Sequence, residues 1–466
     1  MNIEKIKKVL EKTEGIYGWL IFKQEVQGTS VLHMPNLYTA ENGKFTSTVN
    51  PDPREVISLP SEEIRITVYA RFNTDKEEFM GEASDQILSD DESALKVQIQ
   101  KLVAAAQTQH NKPYSLPDKS LTYKTDVLMT DPKITESDKV QLLEQINKFN
   151  KAILDQTEKE ESVDLSNIEL FIKNFHNILI TSTDVNVQFD STRADTELCF
   201  IARFNDDRVA EATARISSRR ISDLNPQELV KNYAGYARSI ALSKPPIQYQ
   251  GPVIVSGEAL AEMLNIDTNV ISFHANAANV YNKIARYEQG KPITGDLEIQ
   301  GDRVTIISDP HIPYGPNSQV YSAVDGSPSR IVTLVKDGNY DELIGTRRYY
   351  EYLGLLQKGV QPAGPLGNTY VQAGKTRQDD LMSAEKIVVV KLFSSWTTNP
   401  TNGDFACEIR LGEIRENGKA TPFKGGMLIG NYFKMFAQVK LSQETVQINN
   451  YYGPTAIRFE NLQIAG

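Results

Sequence analysis

The stretch IRITVYARFN, Ile64–Asn73, has a near copy in ELCFIARFN, Glu197–Asn205, and both end in the same four residues. Apolar and polar side chains alternate in each, which is the pattern of a β-strand with one buried face. A polar turn, a second predicted strand and a helix signal follow each copy. The sequence therefore predicts a duplicated strand–turn–strand–helix unit. Its predicted inward-facing residues are Ile64, Ile66, Val68, Ala70 and Phe72 in the first copy, and Leu198, Phe200, Ala202 and Phe204 in the second.

Helix signals follow both copies, from Ser89 in the first and from Ser222 in the second. The second helix has Asn225 in the N-cap position and Pro226 as its first residue, a combination typical of helix starts. Between the copies, an amphipathic helix is predicted near Ser137–Asp155. Its predicted apolar face consists of Val140, Leu143, Ile146, Phe149 and Ile153.

The character of the chain changes at the proline-rich segment that begins near Pro245. A strand and a short helix are predicted next, and beyond Gly290 nearly every segment has the pattern of a strand. Asn417–Gly418 fits the tight turn of a hairpin. The predicted fold class is α+β. We expect an N-terminal α/β domain with the internal repeat, residues 1–244, and a mostly antiparallel β domain, residues 245–466.

Composition limits the classes of function. The 466 residues carry a net charge of −10, which argues against a nucleic-acid-binding surface. No apolar run is long enough to cross a membrane, and the N-terminal segment lacks the apolar core of a signal peptide. Cys199 and Cys407 match no metal or redox spacing, so we expect two buried thiols. These features together predict a cytoplasmic protein.

Several motifs resemble those of the TldD/PmbA family, in which PmbA is also called TldE. They are the C-terminal segment Gly425–Gly466, the segment NPTNGDF at Asn399–Phe405, ISDP at Ile307–Pro310, and SRIVTLVKDGNYDELI at Ser329–Ile344. The resemblance extends over nearly the whole chain, and the order and spacing of the motifs are its specific feature.

This resemblance implies a two-domain fold and a heterodimer. Its TldD-type subunit carries zinc and cleaves peptides, including leader segments and unfolded tracts. The TldE-type subunit lacks the metal motif and completes an enclosed site. The older family name, modulator of DNA gyrase, receives no support from the acidic composition of this chain.

The metal motif of TldD-type subunits resembles H-E-x-x-x-H on a helix, with a later Cys in a Gly-rich stretch. In this chain the corresponding segment is Gly257–Val280, with Leu264, Asn265 and Ile266 where the first His-Glu pair is expected. The segment Gln447–Ala456 replaces the later Gly-rich stretch. The resemblance therefore implies no metal or other cofactor in this chain, and zinc in a TldD-like partner.

A relocated metal site is the alternative. Glu258 and Glu262 share a helix face, but no His accompanies them there. Asp309 and His311 lie close together in sequence, and His274 is a third candidate ligand. The competing interpretation is that Asp309 caps a turn and His311 is a surface loop residue. Metal-ligand spacing is missing, which favours that interpretation.

Family position suggests Arg330, Asn402 and Gly403 as contacts for a peptide substrate, with Asn368 as a further candidate. Turn chemistry and surface pairing explain these residues without any ligand, which favours a structural role. The pair Arg347–Arg348 is a weaker candidate, for which a solvated face is the alternative.

A tyrosine-rich surface is a further prediction, since tyrosine is enriched at subunit interfaces. The residues concerned are Tyr349, Tyr350, Tyr352, Tyr451 and Tyr452.

Three functions remain open on the sequence. The first is a TldE/PmbA-like, non-metal subunit of a peptidase pair, with a TldD-like subunit as partner and peptide as substrate. The second is a homodimeric peptide-binding or scaffold protein without catalysis. The third is an autonomous hydrolase with a relocated metal. None of the three involves nucleic acid or a membrane.

Overall fold

The computed structural model describes most of the chain, and it describes side chains outside residues 36–59. Asn205 and parts of both predicted polar turns lie outside the described residues. Among the described helices, none combines the length and apolar character needed to cross a membrane. The residues not described are 1, 42–43, 50–53, 57–59, 75–76, 90 and 205–207.

The described part of the first 241 residues forms five α-helices and nine strands. In chain order they are α1 (Ile3–Lys12), β1 (Gly18–His33), β2 (Asn36–Glu41), β3 (Lys44–Val49), β4 (Arg54–Val56), β5 (Ser61–Asn73), β6 (Glu78–Gln86), α2 (Glu92–Ala106), α3 (Pro132–Thr135), α4 (Lys139–Thr157), β7 (Val163–Thr181), β8 (Asn186–Arg203), β9 (Val209–Ser218) and α5 (Pro226–Ala241).

Seven of these strands build one antiparallel sheet in the order β6-β5-β1-β7-β8-β9, with β4 pairing β1 beside β5, and β2 and β3 pair with each other. The predicted duplication is present and is larger than expected. Each half consists of a leading helix, three strands and a closing helix, and the halves meet where β1 pairs β7. The leading strand of each half was missed because β1 and β7 share no short motif, and β2–β4 separate β1 from the rest of its unit.

The helices cover one face of this sheet, on which the predicted inward residues Ile66 and Phe200 are fully buried. Asn225 caps α5 by accepting hydrogen bonds from the main chain of its first turn, as predicted. One expectation is wrong: Val140 is 65% exposed, because the apolar stripe of α4 reaches full burial only from Ile146 onward.

The opposite face of the sheet is also partly covered. Tyr69 on β5 is buried, and its ring meets that of Tyr114 at 6.3 Å in an edge-to-face contact. Leu20 and Tyr69 belong to a buried cluster that includes Val320 and Tyr321 from the C-terminal half. The sequence predicts one buried face for β5. Both faces are packed in the middle of this strand, because the two halves of the chain contact each other there.

The C-terminal half contains five α-helices and fifteen strands among its described residues. They are β10 (Tyr249–Gln250), β11 (Val253–Ser256), α6 (Gly257–Leu264), α7 (Val270–His274), α8 (Ala277–Tyr281), β12 (Ile306–Asp309), β13 (Val332–Lys336), β14 (Asn339–Tyr340), α9 (Arg347–Tyr352), β15 (Asn368–Val371), α10 (Gln378–Leu381), β16 (Lys386–Phe393), β17 (Asp404–Glu416), β18 (Lys419–Phe423), β19 (Met427–Asn431), β20 (Val439–Leu441), β21 (Thr445–Ile448), β22 (Tyr451–Pro454), β23 (Ala456–Phe459) and β24 (Gln463–Ala465).

Two mixed sheets result, in the orders β10-β24-β19-β17-β16-β11-β23-β20 and β14-β13-β12-β15-β22-β21. The pairing is mostly antiparallel, as predicted, and the parallel exceptions are β11 with β16 and β15 with β22. Asn417 and Gly418 both have positive φ and connect β17 to β18 in the predicted hairpin. The fold class is therefore α+β. The boundary predicted at residue 245 falls between α5 and β10 and stays a prediction.

Two tyrosines of the predicted interface belong to the core instead. Tyr350 is fully buried and donates a hydrogen bond to the Leu343 carbonyl, and Tyr451 is 1% exposed. The Arg347–Arg348 pair is not a solvated face either. Arg347 Nε donates to the Ser115 carbonyl at 3.1 Å, so this pair joins α9 to the loop after α2.

Candidate functional site

A cleft of about 570 Å³ lies between the sheet of the first half and the helix that replaces the metal motif. One wall is β9, the outermost strand of its sheet. The other is the face of α6 that carries Glu258, Glu262 and, just beyond the helix, Asn265. We call this the β9 cleft. It is lined by Glu211, Ala212, Thr213, Arg215, Glu258, Ala261, Glu262, Asn265, Leu392, Phe393, Ser394, Arg410, Ile448, Asn449 and Asn450.

The two carboxylates on α6 have different environments. Burial raises the pKa of Glu258 to about 7, while a hydrogen bond with the Tyr233 side chain acts in the opposite direction and the Glu262 charge adds to the rise. Desolvation also raises the pKa of Glu262, although this side chain faces the cleft and accepts a hydrogen bond from the Trp396 main-chain N–H at 3.1 Å. The Glu258 carboxyl therefore changes between its neutral and charged forms near neutral pH.

The outer edge of β9 has main-chain groups turned away from β8. The Glu211 carbonyl accepts from Arg410 Nη2 at 3.0 Å, and the Asn449 side chain donates to the Arg215 carbonyl at 3.2 Å. In a strand, the main-chain groups of every second residue point to the same side. Thr213 lies midway between Glu211 and Arg215, so its N–H and C=O also point away from β8. In the described part of the chain no partner of these two groups is seen.

Edge strands with unpaired main-chain groups accept a further strand. On β9 the open length is short, because Arg410 occupies one end and Asn449 the other. Exposed side chains of Glu211, Thr213 and Arg215 flank it. This arrangement suits a short extended segment whose main chain is bound at Thr213.

The residues suggested by family position lie elsewhere. Arg330 forms an ion pair with Glu342 at 2.7 Å and donates to the Gln361 carbonyl at 3.0 Å. Asn368 is fully buried and holds the loop that contains Asn317, whose N–H it accepts at 3.0 Å. Roles for Arg330 and Asn368 in substrate binding stay predictions.

Asn402 and Gly403 form the turn that leads into β17. The Asn402 side chain donates to the Asp404 carboxylate at 2.8 Å, and Gly403 has a φ of +81°, which glycine adopts without strain. Asn402 also lines a separate cavity of about 510 Å³, beside Arg286. The four predicted contacts therefore do not line the β9 cleft, and their role as a substrate site stays a prediction.

The histidines considered for a relocated metal are engaged by neighbours. His274 is fully buried, its Nδ1 accepts from the Arg286 main-chain N–H at 2.9 Å, and desolvation lowers its pKa to about 4. Asp309 accepts from the His311 N–H at 2.7 Å, which is the predicted turn. His311 is half-buried rather than on the surface, with Nε2 3.3 Å from the Ser329 hydroxyl.

Zinc requires several imidazole, thiolate or carboxylate donors at one point. The α6 face provides two carboxylates and an amide, and no group of three His, Cys, Asp or Glu suited to a metal occurs among the described residues. The donor set of this helix therefore does not fit a zinc site of the family type. Burial raises the pKa of the Cys407 thiol, and the same cause acts on Cys199, which is half-buried rather than buried as expected.

Sequence reasoning missed the β9 edge and its two neighbours, Arg410 and Asn449. A signal for the strand exists in the alternation of EATAR, Glu211–Arg215. Nothing in the sequence indicates that this strand is outermost, or that side chains about 200 residues away meet it.

Comparison with known protein families identifies a relative of the C-terminal half of the chain. Residues 248–466 match the sequence profile of the PmbA/TldA metallopeptidase C-terminal domain. An uncharacterized protein of Methanocaldococcus jannaschii is 27% identical over 218 residues, which make up 45% of this chain and 50% of that protein. The match therefore spans about half the length of this curated relative.

Solved structures share the fold over the whole chain. TldE from Thermococcus kodakarensis superimposes with a TM-score of 0.73 at 17% identity, and the match covers 100% of both chains. A candidate modulator of DNA gyrase from Bacteroides thetaiotaomicron gives 0.77 at 14% identity, covering 99% of this chain and 97% of the other. A second candidate modulator, from Thermotoga maritima, gives 0.73 at 17% identity with full coverage of both.

The sequence motifs and the profile match agree: residues 248–466 are similar to the PmbA/TldA metallopeptidase C-terminal domain, and the whole chain shares the fold of these solved structures.

Proposed function

We propose that this chain is a TldE/PmbA-like, non-metal subunit of a zinc peptidase that acts on peptides or unfolded protein segments. The observation that carries the proposal is the open edge of β9 at Thr213, facing α6 across the β9 cleft. In this proposal the protein works in the cytoplasm, and its partner is a TldD-like chain that bears H-E-x-x-x-H.

The β9 edge supplies the substrate contacts. An extended peptide adds to a strand edge through its main chain, so affinity does not depend on a particular sequence. One residue of the peptide pairs with the N–H and C=O of Thr213, and Arg410 and Asn449 set the limits of the paired stretch. Recognition of this kind suits unfolded segments of varied composition.

Glu258 and Glu262 give the opposite wall a negative charge once Glu258 loses its proton. They favour peptides with an amino terminus or a lysine near the paired residue. Because the donors on α6 do not fit zinc, we assign the metal and the bond-breaking step to the partner. The role of this chain is to bind and align the substrate.

The test is reconstitution. This chain is purified with a TldD-like chain from the same organism, and cleavage of a fluorogenic unfolded peptide is measured with each chain alone and with both. The proposal expects cleavage with both chains and at most a few per cent of that rate with either alone. Equal rates with the TldD-like chain alone would contradict it.

The same preparation decides between the other two functions. A stable homodimer that binds the peptide and enhances no cleavage by any TldD-like chain would establish a scaffold protein. Near-stoichiometric zinc in this chain alone, lost in His274→Ala or His311→Ala, together with peptide cleavage, would establish an autonomous hydrolase.

A further inference from the structure

A second cavity, of about 490 Å³, lies on the same face of the first sheet as the β9 cleft. Two arginines, Arg193 and Arg219, line it, and no aspartate or glutamate does among the described residues. This is unexpected in a chain whose net charge is −10. We call it the arginine cavity.

Arg219 carries a buried charge that forms no direct ion pair with a carboxylate among the described residues. It is 5% exposed, and its guanidinium donates to the main-chain carbonyls of Thr192, Gly315, Pro316 and Ser318 at 2.6–3.3 Å. Burial and the neighbouring Arg193 charge lower its pKa to about 9, although the Asp195 carboxylate acts in the opposite direction. Carbonyl dipoles solvate a cation, yet the positive charge remains, and a buried charge is costly until an opposite charge approaches.

Arg193 has free donor capacity. Its Nη1 donates to the Ser217 hydroxyl at 2.6 Å, and the Asp195 carboxylate stands 3.9 Å from the same atom. A guanidinium has five N–H groups, so several remain for a ligand. Since a planar guanidinium matches a carboxylate in a two-point contact, Arg193 is the residue able to hold one at this cavity.

The remaining walls are largely aromatic. Phe22, Phe175, Phe189 and Tyr321 line the cavity, and the Phe189 and Tyr321 rings meet edge to face at 5.2 Å. The Tyr321 hydroxyl is buried, and no hydrogen-bond partner of it is present in the described chain. Val324, 67% exposed, lines the cavity from the solvent side. The cavity thus combines positive charge with an apolar, aromatic wall that a large side chain can pack against.

The arginine cavity and the β9 cleft are neighbours. Asp267 accepts hydrogen bonds from Asn317, which lines the cavity, at 3.0 Å and from Asn450, which lines the cleft, at 3.3 Å. The Ser217 hydroxyl bonded to Arg193 belongs to β9 itself. The cavity therefore begins at the end of β9 that Asn449 closes, next to the open edge at Thr213.

We propose that the arginine cavity binds the C-terminal residue of a peptide, with its free carboxylate on Arg193 and an aromatic or large aliphatic side chain against Phe189 and Tyr321. This inference rests on the proposed function for the peptide nature of the ligand. The charge of Arg219 attracts the carboxylate, and its contacts with the loop Gly315–Ser318 keep that wall in place.

The experiment measures binding to the purified chain alone by isothermal titration calorimetry. The probes are N-acetyl-Gly-Gly-Phe with a free carboxylate, the same peptide as its C-terminal amide, and 3-phenylpropionate. We expect the free acid to bind at least tenfold more tightly than the amide and than 3-phenylpropionate. Arg193→Gln removes the difference between acid and amide.

Two further variants make the test specific. Arg65→Gln removes an exposed arginine of the same sheet that pairs with Glu63, and it leaves the acid preference unchanged. Phe189→Ala weakens acid and amide alike, because it removes apolar contact only.

Equal affinities for acid and amide, or a preference that survives Arg193→Gln, would overturn the proposal. Equal affinities for the tripeptide acid and 3-phenylpropionate would also overturn it, in favour of a small carboxylic acid as ligand. These measurements need no partner chain and no cleavage. They therefore separate failure of this site from failure of the peptidase function.

Discussion

Asn449 holds β9 in the manner of a neighbouring strand, since its Oδ1 accepts the Ser217 main-chain N–H at 2.8 Å. The same side chain donates to the Arg215 carbonyl, so one amide satisfies two edge groups of the strand. Asn449 itself has a φ of +51°. The turn between β21 and β22 thus closes one end of the β9 edge and leaves Thr213 open.

Removing the Asn449 side chain should loosen this contact. Asn449→Gly loses two hydrogen bonds and keeps the positive φ without strain, so we expect a loss of about 1–2 kcal/mol in the free energy of unfolding. Asn449→Ala loses the same bonds and adds the cost of a left-handed alanine, about 1 kcal/mol more. Urea denaturation of both variants checks this order; a glycine variant less stable than the alanine variant would contradict it.

Blocking the open edge should weaken peptide binding. Thr213→Pro removes the outward N–H, which an outermost strand tolerates because that group does not pair with β8. We expect at least a tenfold loss of affinity for an unfolded peptide, with stability changed by about 1 kcal/mol or less. Thr213→Val keeps the main chain and serves as the matched control. Calorimetric titration measures the affinities, and equal binding by both variants would refute pairing at Thr213.

Glu258 should make stability depend on pH. Its pKa is about 7 in the folded chain, against an ordinary value of 4.5. Between these values the folded chain holds a proton that the unfolded chain has released, so rising pH lowers the free energy of unfolding, by about 2 kcal/mol in all once partial solvent screening is allowed for.

Glu258→Gln should remove this loss. We expect the variant and the unmodified chain to differ little near pH 4.5, and the variant to be more stable by about 2 kcal/mol at pH 8. Glu288→Gln, a change at an exposed residue outside the cleft, is the control and should show no such trend. Denaturation across this pH range makes the comparison, and parallel curves for Glu258→Gln and the unmodified chain would rule out the assigned cause.

Two glycines should respond in opposite directions to alanine. A Cβ at Gly81 on β6 would lie 1.8 Å from the Ala106 carbonyl oxygen at the end of α2, so Gly81→Ala should cost about 1–3 kcal/mol or more. Gly235 lies within α5 with nothing within 4 Å of such a Cβ, and Gly235→Ala should stabilise by about 0.5–1 kcal/mol. Thermal unfolding of the two variants decides; a stabilised Gly81→Ala variant would be inconsistent with this packing.

Part of the fold could be predicted from local pattern. Alternation placed the strands around Ile66 and Phe200, Asn225 and Pro226 placed the start of α5, and Asn417–Gly418 placed a hairpin. These features depend on residues that are close together in the sequence, so the sequence pattern is enough to predict them. The error at Val140 occurred at a helix start, where the partner that buries a face lies far away in the chain.

The candidate site shows the opposite case. The resemblance indicated where a metal helix is expected and which residues stand there instead, yet the suggested contacts Arg330 and Asn368 proved to be engaged within the fold. A binding role for Thr213 or Arg193 could not be predicted, because a threonine or an arginine on a strand belongs to no functional motif.

The sequence by itself determined the strand–turn–strand–helix part of the repeat, the α+β class and the absence of an H-E-x-x-x-H motif, because each is a property of residue order and spacing. Only the tertiary structure decided that β9 is an outermost strand and that Arg410 and Asn449 occupy its two ends. It also decided that two arginines share a cavity with no carboxylate in its lining among the described residues. The physical reason is that strand pairing, burial and local charge depend on contacts between segments hundreds of residues apart. No single stretch of the sequence shows which segments will be in contact.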